Sequence, residues 1–161
     1  MDFDFLPGST QDNLKIENCS LPGIVNYYVQ GYLPAIKFKG DEEALNEIPD
    51  YITDYYQNSV NGKTLGPVDP PSPFEPVAFT NKIIGYVAEA GTLNWITDAT
   101  VKDGITAKLT TAKGKIGTNN PDAKVVLDTL LADLETKHGA GVNDEAYFLI
   151  KFNVLYLKDR L

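Results

Sequence analysis

The stretch 120-NPDAKVVLDTLLADLETKHG-139 reads as an α-helix with both ends marked. Asn120 suits an N-cap and Pro121 the first turn. Asp122 complements the positive end of the helix dipole, and Gly139 suits the C-terminal stop. Val125, Val126, Leu130, Leu131 and Leu134 recur at helical spacing, so one face is apolar. Downstream, 143-NDEAYFLIKFNVLYLKDR-160 predicts a last helix, with Asp144 and Glu145 in its first turn and Lys158 and Arg160 in its last. Its apolar residues cover nearly the whole circumference. Such a helix is central in a core or buried in an interface, and the inner face suits the first role and the outer face the second.

Upstream, residues 100–117 carry Val101, Ile105, Leu109, Ala112 and Ile116 at spacings of a helix. Gly104, Gly114 and many threonines lower the helical propensity, so a hairpin turning at Lys113-Gly114-Lys115 is the alternative. Residues 80–91 form another amphipathic helix, capped by Thr80 or Asn81, with Ile83, Ile84, Tyr86, Val87 and Ala90 on its face and Gly91 as its stop. Before it lies 65-LGPVDPPSPFEP-76, whose five prolines predict an extended crossing over the domain surface. As a ligand for an aromatic groove this run lacks flanking basic residues.

Residues 41–60, DEEALNEIPDYITDYYQNSV, place Leu45, Ile48, Ile52 and Tyr55 on one helical stripe, with a kink or a fresh start at Pro49 and a turn at Asn61-Gly62. Residues 20–36 read as a helix begun at Ser20 and Pro22 and ended by Pro34. A strand through Ile24 to Tyr32 competes, because Val and Tyr favour strands. Residues 1–20 form an extended arm with Phe3, Phe5 and Leu6 at its tip, stopped by Pro7-Gly8. The expected fold is mainly α. It comprises one domain, residues 21–161, as a bundle of five to six helices preceded by the arm, with an α+β fold holding a hairpin near 101–117 as the alternative. A chain of 161 residues suits a single domain.

Composition removes several chemistries. One Cys and one His cannot build a structural zinc or iron–sulfur site within the chain, so any bound metal would rest on carboxylates; no cofactor is expected. Phosphate-cradling glycine motifs are missing, and Lys113-Gly114-Lys115 is the one basic, glycine-containing loop candidate. His138 at a helix end is read as a dipole-stabilised terminal residue, and Cys19 as an unactivated thiol. Asn18-Cys19-Ser20 matches a glycosylation pattern, but no export signal accompanies it. No apolar run is long enough to span a bilayer, so a cytoplasmic or particle-assembled location is expected.

The formal charge of -8 is uneven. Residues 1–62 carry ten acidic and three basic groups, whereas residues 101–120 carry one and four. Most of this surface repels a phosphate backbone, which argues against nucleic acid as a partner. Glu43, Glu47, Asp50 and Asp54 fall on one helical face beside Tyr51, Tyr55 and Tyr56, and nine tyrosines against one arginine suit protein contacts. The expectation is a non-enzymatic interaction or assembly protein, with a phage or viral structural component as the narrower version. This acid and tyrosine face would be its partner surface, Phe3, Phe5 and Leu6 its docking arm, and Lys108, Lys113 and Lys115 a basic contact. The alternatives are an acidic immunity or inhibitor protein that covers a basic toxin, and a helical binder of a small ligand or a metal held by carboxylates.

Overall fold

The computed structural model describes residues 20–29 and 60–161. The arm residues Phe3, Phe5 and Leu6, the thiol of Cys19, and the whole acid and tyrosine stripe of residues 43–56 lie outside them. Within the described residues the chain is mainly α, with four helices and a two-stranded antiparallel ribbon. The ribbon is β1 (Leu21–Val29) and β2 (Val60–Val68), and the helices are α1 (Pro76–Thr92), α2 (Ala99–Lys115), α3 (Asn120–Lys137) and α4 (Asp144–Asp159).

The helices follow one another with short loops, and each packs on its successor, while α4 returns to pack on α1. Pairings across the seams run in opposite directions. Lys108 meets Asp133 while Lys115 meets Asp122, and Tyr147 meets Glu135 while Lys158 meets Asp128. This is an up-down-up-down bundle. Its core holds Ile83, Val87, Leu109, Leu127, Leu130, Leu134, Ile150, Val154 and Leu157, all fully or almost fully buried. At one end the α1–α2 and α3–α4 loops are joined by Thr97 N–H to Gly141 O at 3.0 Å and Asn143 N–H to Trp95 O at 3.0 Å. Gly141 sits at φ +98°, and a Cβ there would lie 3.1 Å from the Cβ of Asp98, so conformation and space both ask for glycine.

The expected five to six helices are corrected to four among the described residues. Residues 21–29 are a strand, because β2 supplies a partner that pairs Ile24 with Leu65 and Tyr27 with Gly62, and this overrides the helical spacing of the same residues. Tyr27 lays its ring over Gly62, where a Cβ would come within 2.7 Å of the phenol oxygen. Asn61-Gly62 therefore lies inside β2 rather than in a turn. The proline crossing loses its first residues, Leu65 to Val68, to the same strand. Helix α1 starts at Pro76 rather than near Thr80, since proline at the first turn gives up no needed N–H. The Thr80 hydroxyl bonds to Pro76 O at 2.8 Å and caps nothing.

Helix α2 is continuous through Lys113-Gly114-Lys115, so the hairpin alternative near 101–117 fails. Leu109 and Ala112 bury the stripe that the spacing marks out, and Ile105 is almost as deep. For α3 the cap is Asn119, whose side chain accepts from Asp122 N, one residue before the expected Asn120; the C-cap is His138 rather than Gly139. Helix α4 is capped by Asn143 as the sequence indicates.

One polar residue joins the ribbon to the bundle. Asn153, 1% exposed on α4, donates from Nδ2 to Pro22 O at 2.8 Å and to Leu149 O at 2.7 Å. A buried amide is tolerable only when its donors are matched, and here the match is a strand carbonyl 131 residues away in the chain. Asn153→Ala is expected to lower unfolding free energy by about 1–3 kcal/mol in denaturant titration, and to speed amide exchange in β1 more than in α3. Equal exchange in both elements would remove the tether role.

Candidate functional site

The densest gathering of chemically capable side chains lies on the seam between the C-terminal half of α3 and the N-terminal half of α4. Helix α4 sets Tyr147 and Lys151 four residues apart, one turn above the other on a single face. The antiparallel register brings Glu135 of α3 opposite both. The Tyr147 hydroxyl, on a residue 6% exposed, donates to the Glu135 carboxylate at 2.7 and 2.8 Å. Lys151 Nζ donates to Glu135 Oε1 at 2.7 Å and also to the Tyr147 hydroxyl.

Above this triad, the His138 ring stacks on Tyr147 with centroids 3.9 Å apart and planes within 7°. Its Nε2 lies 2.6 Å from Asp144 Oδ1. Phe148 meets the Tyr147 ring edge-on at 5.1 Å, and Phe152 stacks on Phe148 at 6.0 Å. The rings form a continuous ladder from the bundle end along α4. Its last two members are exposed, Phe148 at 39% and Phe152 at 47%.

Electrostatics say what the triad can do. Hydrogen bonds from Lys151 and then Tyr147 hold the Glu135 carboxyl below its ordinary value of 4.5. The hydrogen bonds that Lys151 donates to Glu135 and then to Tyr147 raise its ammonium above the ordinary value of 10.5. A group suited to proton transfer titrates near the working pH, whereas these two are driven apart and stay ionised across the neutral range. The triad acts as a strut that fixes the Tyr147 ring, and through it the aromatic ladder. Among the described residues no three His, Cys, Asp or Glu side chains are gathered to hold a metal, and no helix is long and apolar enough to cross a membrane.

The basic residues singled out from sequence each have a partner on a neighbouring helix, at solvent-exposed positions. Lys108 pairs with Asp133 at 2.6 Å, Lys115 with Asp122 at 3.2 Å, and Lys113 donates to Asn81 Oδ1 at 3.0 Å. They clip α2 to α3 and to α1. His138 is at a helix end as expected. Sequence reading took Tyr147, Phe148 and Phe152 only as part of the all-round apolar surface of the last helix, and did not single out Glu135 or Lys151. The available signals were the four-residue spacings Tyr147 to Lys151 and Phe148 to Phe152 on a helix already known to be apolar all round. No protein-family model, no curated protein and no solved structure matches the chain.

The sign of the pH dependence follows from the two shifts. The Glu135 contribution to stability is present above 4.5 and lost as pH falls through its lowered value; the Lys151 contribution is present below 10.5 and lost as pH rises through its raised value. Glu135→Gln is therefore expected to reduce the thermal midpoint at neutral pH, with the gap to the unmodified protein closing as pH drops below 4.5. Thermal melts across the acid range check this, and a gap that stays constant with pH would contradict it.

Proposed function

We propose that the protein is a non-enzymatic interaction and assembly protein, that the outer face of α4 is its contact surface, and that a second copy of the chain is the partner. The observation that carries this reading is the exposed Phe148–Phe152 pair, held in place by the triad beneath it. Large side chains locked in one arrangement lose little entropy on docking, and aromatic rings are favoured at the centre of interfaces.

The place of the rings on α4 supports a second copy. Phe148 and Phe152 lie one turn apart on the outside of the helix, between Glu145 and Asp159. Two such faces laid antiparallel about a two-fold axis bring the phenylalanines of each copy against those of the other. A self-complementary patch of this kind is what a two-fold dimer requires. Covering the exposed part of each ring is worth about 2 kcal/mol. Four rings then exceed the lower range of association costs, about 4–15 kcal/mol, only narrowly, so the expected dimer is weak and concentration-dependent. The narrower version, a structural component of a phage or viral particle, adds the arm residues Phe3, Phe5 and Leu6 and the acid and tyrosine face as further docking segments.

Sedimentation velocity over a concentration series tests the reading. The unmodified chain is expected to shift from monomer to dimer, and Phe148→Ser with Phe152→Ser to remain monomeric with unchanged far-UV circular dichroism. A strict monomer at every concentration, or a double serine variant that dimerises normally, overturns it.

A further inference from the structure

We infer that the slot between α2 and α3 binds a small aromatic carboxylate, a single ring carrying one anionic group. These two helices share the most extensive helix-to-helix contact in the bundle, yet beside the first half of α2 they leave a cavity of about 180 Å³. Its apolar lining comes from Val101, Ile105, Leu130 and Leu134. Gly104 forms the open part of the wall. A Cβ at this position would meet nothing within 4 Å, so close packing does not demand glycine, and an interior helical glycine costs about 1 kcal/mol relative to alanine. What the missing side chain does achieve is to keep the slot empty.

Size and polarity select the ligand. An apolar cavity of about 150 Å³ accepts benzene, whereas pockets for larger cofactors run from about 300 Å³ upward. One ring fits and a nucleotide does not. At the mouth the Lys108 ammonium is already held by Asp133 at 2.6 Å. The Asp98 carboxylate is engaged by the α2 backbone, accepting from Thr100 N at 2.8 Å and Val101 N at 3.4 Å. The Lys137 ammonium, also at the mouth, has no hydrogen-bond or ion-pair partner among the described residues. It is the group left to meet an anionic substituent, whereas the two carboxylates that also line the slot, Asp98 and Asp133, are already engaged by the α2 backbone and by Lys108. This site is independent of the α4 surface and of self-association.

Titration of the full chain with benzoate, benzyl alcohol and benzylammonium, followed by amide chemical shifts, tests the assignment. Benzoate is expected to give saturable shifts centred on Val101, Gly104, Leu134 and Lys137, with benzylammonium at least about tenfold weaker. Gly104→Leu fills the slot and lowers benzoate affinity at least tenfold without lowering the thermal midpoint, whereas Gly104→Ala retains binding. Lys137→Gln weakens benzoate severalfold and leaves benzyl alcohol unaffected. If Gly104→Leu does not fold, Val101→Phe fills the slot from one turn earlier on the same wall and must give the same loss. Absence of saturable shifts at these amides, benzylammonium binding as well as benzoate, or unaltered benzoate binding by a folded slot-filling variant overturns the inference.

Discussion

Helix α4 has to bury Ala146, Leu149, Ile150, Val154 and Leu157, set Tyr147 and Lys151 on a seam, and leave Phe148 and Phe152 outside. The rest of the described structure is arranged round that requirement. Helices α1 and α3 flank it, α2 closes the ring opposite, and the ribbon lies along its remaining side. No helix of this length would be stable alone in water, so α4 exists as a helix because its neighbours remove its apolar side from solvent. The polar residue on that side, Asn153, converts the same burial into a tether for β1.

Charged seams divide the labour differently from the core. An exposed ion pair contributes little to stability, and the Lys108–Asp133 and Lys115–Asp122 pairs are of this kind. Their value is in register: each fixes how far along one helix its neighbour sits. The Glu135–Tyr147–Lys151 triad is a stronger case of the same device because a mostly buried phenol bonds to both the carboxylate and the ammonium, which also pair directly with each other. It turns a sliding helix contact into a fixed one, and the fixed ring then orders the aromatic ladder above it.

The acidic balance of the chain also looks different once the elements are placed. Of the net charge of -8, residues 60–161 contribute only -1, with eleven basic and twelve acidic groups. Two of the four lysines of 101–120, Lys108 and Lys115, pair with the α3 carboxylates Asp133 and Asp122 across a solvent-exposed seam. Residues distant in sequence partly neutralise one another in space.

Helices α3 and α4 were legible in the sequence because local signals agreed there, whereas α1 and α2 showed through their apolar spacing alone, α1 read as starting four residues late and α2 with a hairpin left open. The helix in place of β1 was misread because a strand is defined by its partner, and that partner starts 31 residues beyond the strand's end. Glu135 and Tyr147 escaped notice for a related reason, since twelve residues of separation show no relationship until two helices turn back on one another. By itself the sequence determined that the chain is helical for most of its described length, where three of those helices lie, and which chemistries its side chains exclude. Only the tertiary structure decided which carboxylate meets which cation, which face of an all-apolar helix stays outside, and where a missing side chain leaves a space. Those outcomes depend on the register between elements, and register is a property of packing rather than of any one stretch of residues.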